Sequence, residues 1–424
     1  MVDRREELAL SRIRLQHGLT PQVTMLLGIA LLSAATFYMV QPFFVIYFRE
    51  ALGFSVSQSG LLVALPFLPA ILFGLLGGYI SDRIGVLRSY TLGLLIYGLS
   101  VGAISFLNQF IYILILMIVS GFAVSVMSGG IQSVITLVSV SEHRARLQNY
   151  LYWINNVGAL LGLLVASELL RAGHSNVPII LLGVTRVAMF LLFASLFWKR
   201  ISSEKMRHEA RPSARSLMVP VFKAALSDKA LLLTTLSVFL LTVMESQLDS
   251  TIPLYFTEHF SNGVVLFGPI VAITTVMVVI GQPIALRLFS YKDATIVFSI
   301  GALCTGGGLA LGGMVGSVWS WVVGMVLYSI GEALWAIKLN DQLSSLPTEG
   351  NTALYFATFA TAQNLSFFIG ISLGSLVYHS VQASVLFGSM IVIAVIVSVS
   401  FALAFKIHQE STVSMNAVKN DYGS

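Results

Sequence analysis

Charge is scarce in this chain. Asp, Glu, Lys and Arg make up 10% of 424 residues, against 56% hydrophobic residues. A water-soluble protein carries about 25% charged residues. So few charges cannot cover a water-facing surface of this size. Mean hydropathy is +0.87, and lipid must be the solvent for most of the exterior. Cysteine is nearly absent: the single Cys304 excludes an internal disulfide framework. The histidines, at 17, 143, 174, 208, 259, 379 and 408, fall in tails, loops or span ends. A Cys/His metal or haem centre inside the membrane is therefore not expected, and no cofactor is assigned. No GxxxxGK[ST] loop occurs, which excludes that route to ATP. No long polar domain exists to hold a catalytic site, so the chain is not expected to be an enzyme. Residues 1–21 are polar and basic, and the apolar run after them is too long for a signal peptide core.

What the chain does have is long apolar runs. A span needs about 20 such residues. Twelve stretches qualify: 22–48, 58–80, 89–107, 110–138, 147–170, 176–198, 229–256, 263–289, 293–315, 317–338, 351–378 and 383–405. The third and fourth are separated only by Asn108-Gln109. Of the 24 Lys and Arg, all but Arg49, Arg171 and Arg186 fall on the side that holds the N-terminus. The positive-inside rule makes that side cytoplasmic, so both termini are expected there. The same asymmetry accounts for the net charge of +5 without a nucleic-acid partner.

The one long polar linker, 200–228, divides the chain. The expected organisation is a tail 1–21, a six-helix half 22–199, the linker, a six-helix half 229–405 and a tail 406–424. The halves repeat. A shift of 208 residues, the separation of Asn156 from Asn364, aligns them without a gap. Tyr47-Phe48 falls on Tyr255-Phe256 and Glu50 on Glu258. Gly60, Val63 and Ala64 fall on Gly268, Val271 and Ala272; Gly93 and Gly98 on Gly301 and Gly306; Gly162 on Gly370. Parallel repeats of six helices are a transporter plan with a site near the bilayer midplane.

On these residues the chain resembles the major facilitator superfamily over nearly its whole length. Gly78-x3-Asp82-Arg83-x-Gly85-x2-Arg88 is similar to that family's signature between helices two and three, with Val86-Leu87 where two basic residues often stand. The resemblance implies an all-α integral membrane protein of twelve helices in two pseudo-symmetric bundles. It also implies that this loop latches the cytoplasmic side, with Asp82 acting near Asn351-Thr352, where a helix N-terminus favours a carboxylate. The alternative is that Arg83 and Arg88 only set topology. The matching second-half loop, Phe289-Ser290-Tyr291-Lys292-Asp293, is a degraded copy. Pro42-x4-Tyr47-Phe48-Arg49-Glu50-x-Leu52-Gly53, and Gly331-Glu332 ahead of Tyr355, look like the bacterial drug:proton antiporter branch. Met117 and Leu163 depart from it, where that branch has an arginine and the proline of a Gly-Pro pair.

Four ionisable residues fall deep in spans: Arg186, Glu245, Asp249 and Glu332. A charge at the bilayer centre costs about 2.5–3.5 kcal/mol on insertion scales, so each should face a cavity or a partner. Glu245 and Asp249, four apart, share a helix face. Under the repeat, Asp249 falls on Gln41, beside Pro42, whose missing N–H affects the carbonyl of Tyr38. Tyr38, Gln41, Glu245 and Asp249 are the first candidates for a binding surface. Arg186 is a candidate salt-bridge partner or anion anchor. Glu332 is a second protonation site or pairs locally. Asn155, Asn156, Gln363 and Asn364 are candidate polar cavity groups. Burial disfavours a charged carboxyl, and acids one turn apart titrate together. Such a pair suits proton coupling, with a cationic substrate competing for the same charge. For Glu245 and Asp249 the competing reading is plain solvation near the outer interface.

The leading expectation is a proton-coupled exporter of small amphiphilic or cationic molecules, a monomer whose partners are substrate, protons and the bilayer. The alternative is a proton-coupled importer of a sugar, peptide or other metabolite. A membrane receptor or enzyme is the third reading, and no attached domain supports it.

Overall fold

The computed structural model describes residues 20–72, 84–127, 134–135, 139, 143–203, 228–346 and 352–422. They are helical, as a chain in lipid must be if its backbone groups are to be paired within each segment. Twelve apolar helices run in chain order: α1 Pro21–Ala51, α2 Val56–Leu72, α3 Val86–Ile104, α4 Phe110–Val126, α5 Arg144–Arg171, α6 Val177–Ser203, α7 Lys229–His259, α8 Gly263–Phe289, α9 Ala294–Val315, α10 Val318–Ser345, α11 Thr352–Ser380 and α12 Ala383–Tyr422. Ten carry a stretch long and apolar enough to cross a bilayer, and α2 and α4 are shorter among the described residues.

Local chemistry sets where they begin. Thr20 caps α1, accepting from Val23 N at 3.3 Å, with Pro21 at the first helical position. Asp228 caps α7, its Oδ1 accepting from Ala230 N at 2.9 Å and Leu231 N at 3.1 Å. Thr20 and Asp228 are related by the repeat shift, so the cap is repeated even though the residue differs. Several helices run past the stretches read as spans. Residues 200–203 continue α6, 339–345 continue α10, and α12 extends to Tyr422 through most of what was expected to be a tail. Hydropathy registers the apolar part of a helix and not its polar extension.

The repeat is visible in packing. Gly162 of α5 lies against the backbone of Ala35 and Met39 of α1; Gly370 of α11 lies against Val243 and Ser246 of α7. A methyl group on Gly93 would come within 3.1 Å of Ala123 O, and one on Gly301 within 2.8 Å of Gly331 O. Gly98 faces Arg186 of α6, and Gly306 faces Ala394 of α12. The pairs Gly162–Ala35 and Gly370–Val243, Gly93–Ala123 and Gly301–Gly331, and Gly98–Arg186 and Gly306–Ala394 keep the 208-residue offset on both partners. Small residues allow these backbones to approach, which is the main source of helix association where lipid removes the hydrophobic drive.

Contacts cluster into two compact units. One comprises Met1–Phe43 and Leu76–Glu209, the other Phe44–Leu75 and Ala210–Ser424. Residues 44–75 thus group with the second half of the sequence. The cause is α2 on α11: Gly60 fits closely on Ser375, and the Phe67 and Phe367 rings stack at 4.8 Å.

Candidate functional site

Two helices are interrupted at repeat-related positions. α1 is α-helical to Tyr38, turns through Met39-Val40, passes through a 3-10 turn at Gln41–Phe43 and ends in a π turn at Tyr47–Ala51. α7 is α-helical to Glu245, forms a 3-10 turn at Ser246–Asp249 and resumes at Thr251 after Ser250, which has φ −135 and ψ −78. Pro42 and Pro253 each lack the N–H that would have bonded four residues back, at Tyr38 and Asp249.

In α7 the interruption is wired by a buried polar set. Gln247 Nε2 donates to Val243 O at 2.8 Å and to Ser246 Oγ and Gly370 O at 3.2 Å each. Thr251 Oγ1 donates to Gln247 Oε1 at 2.8 Å, and Ser250 Oγ to Ser246 O at 3.0 Å. The buried side chains thus fix the shape of the turn and join it to α11. Gln247 is not among the residues singled out from the sequence. The signal was present as the polar run Ser246-Gln247 and Ser250-Thr251 in an apolar span.

Glu245 closes the first segment of α7 and Asp249 closes the 3-10 turn. Both are half-buried, as is Glu332 on α10. Glu245 lies within electrostatic reach of Asp249 and of Glu332. Tyr328, one turn before Glu332 and 2% exposed, is within reach of all three acids. The structure therefore gathers the three carboxyls singled out from sequence and adds a phenol. Such a set can hold, share and release protons, and can present negative charge to a cation.

The remaining candidates stand elsewhere. Arg186 is buried in the first unit; it donates to Ser33 Oγ, to Ser33 O at 3.1 Å and to Met189 Sδ at 3.8 Å. Its guanidinium carbon sits 5.7 Å from the centroid of the Tyr97 ring. Its neighbours are thus a hydroxyl, a carbonyl, a thioether and an aromatic face. Tyr38 is exposed and meets Phe37 edge-on at 5.3 Å, and Gln41 is half-buried at the break. Asn155 is half-buried and Gln363 exposed. Asn156 Nδ2 donates to Tyr152 O, and its repeat mate Asn364 Nδ2 to Ala360 O, both at 2.9 Å. Each amide turns back on its own helix.

Of the loop signature, Gly78, Asp82, Arg83 and the latch partner Asn351 lie outside the described residues. Gly85 precedes α3 at φ 101, ψ 143, a backbone conformation that only glycine adopts readily. Arg88 is half-buried in the first turn of α3. In the second-half copy, Asp293 caps α9 through Ile296 N at 2.9 Å. The buried Lys338 donates to Ser290 O, at the end of α8, at 2.6 Å. Two tyrosines tie α11 to the ends of α7: Tyr355 OH donates to Asp228 Oδ2 at 2.7 Å and Tyr378 OH to Glu258 Oε2 at 2.8 Å.

Comparison with known proteins agrees with this architecture. A Na(+), Li(+), K(+)/H(+) antiporter of Planococcus maritimus is 22% identical over 360 residues, covering 79% of this chain and 83% of that protein. The quinolone resistance protein NorA of Staphylococcus aureus (strain MRSA252) is 24% identical over 154 residues, 36% of this chain and 39% of that protein. The crystal structure of a POT family transporter bound to a thioalcohol-conjugated peptide superposes with a TM-score of 0.75 at 15% identity, covering 91% and 96% of the two chains. That likeness is one of fold. The family model of the Major Facilitator Superfamily matches residues 26–371, and the chain therefore belongs to that superfamily of membrane transporters.

Proposed function

We propose that this transporter exports small amphiphilic or cationic molecules across the cytoplasmic membrane in exchange for protons. One observation carries the reading: Glu245, Asp249 and Glu332 lie in apolar helices of one unit, within electrostatic reach of a neighbour. At about 2.5–3.5 kcal/mol per intramembrane charge, three carboxyls in one place are a large cost with no structural return. They become useful if they exchange protons with a cation. The similarity to a cation/proton antiporter and to a quinolone resistance protein supports exchange and export. The repeat and the paired interruptions of α1 and α7 support alternating access by rocking of bundles 22–199 and 229–405, with a monomer as the working unit and both termini cytoplasmic. Tyr38, Gln41, Arg186, Asn155, Asn156, Gln363 and Asn364 are offered as cavity groups, and the Gly78–Arg88 loop as the cytoplasmic latch.

The test is transport in proteoliposomes under an imposed pH gradient, with dyes, antibiotics, sugars and peptides offered in turn. Proton flux opposite to substrate flux is expected. Flux in the same direction would overturn export and establish the importer reading. Glu245→Gln and Asp249→Asn are expected to abolish coupling while the protein still folds; wild-type proton flux in both would remove the site assignment.

A further inference from the structure

Arg186 carries a charge that no acid in its unit balances. It is 6% exposed and lies midway along the apolar part of α6, Val177–Leu196. Among the described residues of that unit the single carboxylate is Glu168, close to the end of α5, and it pairs with Arg171. A guanidinium does not shed its proton, and it offers five N–H donors and no acceptor. The acceptors around this one are few. Nη1 donates to Ser33 Oγ and to Met189 Sδ, and Nη2 to Ser33 O. Ser33 O is shared with Thr36 Oγ1, which donates to it at 3.3 Å. Nε is buried and has no acceptor. The guanidinium lies over the ring of Tyr97. Donors thus outnumber acceptors, and positive charge is left over.

A buried charge is costly unless it is paired. A resident acid would pair this one permanently. Ser33, Met189 and Tyr97 instead hold the guanidinium in place and leave its charge available. We propose that Arg186 is the subsite for a negatively charged group on the transported molecule, so that the substrates include amphiphiles carrying a carboxylate. Carboxylate and guanidinium meet through two parallel N–H···O bonds, a fork that arginine presents ready-made. Ser33 is half-buried whereas Met189 and Tyr97 are buried, so the carboxylate arrives at the Ser33 edge. The Ser33 hydroxyl accepts from Arg186 and keeps its own proton to donate to the newcomer. Depth selects the source of the negative group. Lipid headgroups lie at the faces of a hydrocarbon layer about 30 Å thick, out of reach of the middle of α6. The inference rests on Arg186 being a cavity group, as proposed above, and not on the acids of α7 and α10 or on the direction of transport.

Binding to the purified full-length protein tests it without a pH gradient. Benzoate, naphthoate and decanoate are titrated by calorimetry at neutral pH, each beside its own neutral amide. At least one carboxylate should bind tenfold or more tightly than its amide. Arg186→Gln should bring that pair within twofold of each other while the amide binds as before. Equal binding of acid and amide by the wild type, across all three pairs, overturns the proposal and needs no variant. Equal weakening of acid and amide in a folded Arg186→Gln protein marks a merely structural residue and overturns it too. Where Arg186→Gln does not fold, Ser33→Ala must lower the preference at least threefold, and an unchanged preference overturns the proposal. Chloride added at constant ionic strength should leave the carboxylate affinity unchanged. Displacement of the carboxylate by chloride assigns the site to an inorganic anion and overturns the substrate class. The two readings fail separately. A carboxylate that binds through Arg186 but is not driven by a pH gradient removes proton exchange and leaves the subsite standing; dye export without any carboxylate preference does the opposite.

Discussion

A methyl group added at a helix crossing measures how closely two backbones meet, and three glycines allow a ranked experiment. At Gly162 the obstacle is backbone: the Ala35 carbonyl, with Met39 N at 2.9 Å. Neither atom can rotate away. At Gly370 the first obstacle is the Ser246 hydroxyl, and Val243 Cα stands back at 3.3 Å. That hydroxyl can turn, giving up its 2.8 Å bond to Val243 O. At Gly307 nothing lies within 4 Å. All three sit in helices, so each alanine gains about the same propensity, roughly 1 kcal/mol, and this cancels between variants. What remains is about 1–3 kcal/mol of overpacking for Gly162→Ala. For Gly370→Ala it is about 0.5–1.5 kcal/mol, the hydroxyl's own donated bond, since Gln247 Nε2, which also donates to this hydroxyl, keeps Val243 O and Gly370 O as acceptors. For Gly307→Ala it is near zero. Thermal melting of the purified protein in one detergent should rank Gly307→Ala above Gly370→Ala above Gly162→Ala. Transport should follow the same order, because the α1–α5 and α7–α11 crossings support the interruptions that carry Gln41 and Asp249. Gly162→Ala melting with Gly307→Ala would refute the close approach, and with it the claim that the repeat is kept in packing.

Gln247→Leu should destabilise by about 1–3 kcal/mol, since it leaves Thr251 Oγ1 and Gly370 O without their partner; an unchanged melting temperature would show that the turn is not held by that amide. Lys338→Met should speed thiol labelling of a cysteine placed at Tyr291, because the Ser290 carbonyl loses its clamp; equal labelling rates would show that the clamp holds nothing. Asp82→Asn should slow transport without changing which molecules are moved, and a changed substrate range at normal turnover would place the signature loop in the binding site instead.

The sequence pattern carried the large features because they follow from quantities that sum along the chain. Twelve apolar runs need only local counting. The repeat survived because glycines at crossings cannot be replaced without moving a backbone: Gly93, Gly98 and Gly162 stay in register with Gly301, Gly306 and Gly370. The three intramembrane acids were legible for a related reason, since a charge in an apolar span stands out against its cost. The features that escaped depend on which atoms meet. The break in α7 is invisible to averaged hydropathy, since four polar residues barely alter the mean of a long span. Tyr328 reads as one more aromatic residue until it is found fully buried one turn before Glu332. Lys338 reads as an inner-side cation, and only the geometry shows its ammonium buried against the end of α8.

Arg186 shows how far such reading can go. Burial cost requires it to face a cavity or a partner, and a carboxylate is the obvious choice. The structure offers another solution, with Ser33 supplying a hydroxyl and a carbonyl and Tyr97 the face of its ring. A buried guanidinium can be held by several neutral acceptors as well as by one acid. Cost alone says that a buried charge must be compensated and is silent on how. Under the repeat Arg186 falls on Ala394, Ser33 on Leu241 and Tyr97 on Thr305. The second half therefore lacks the cation and its supports, while the acids Glu245 and Glu332 stand where the first half has Phe37 and Val124. Backbone crossings keep the symmetry and buried charges break it. Under the proposed exchange, matched halves would allow two opposed openings of similar energy, and unmatched charges would let a proton tell one from the other.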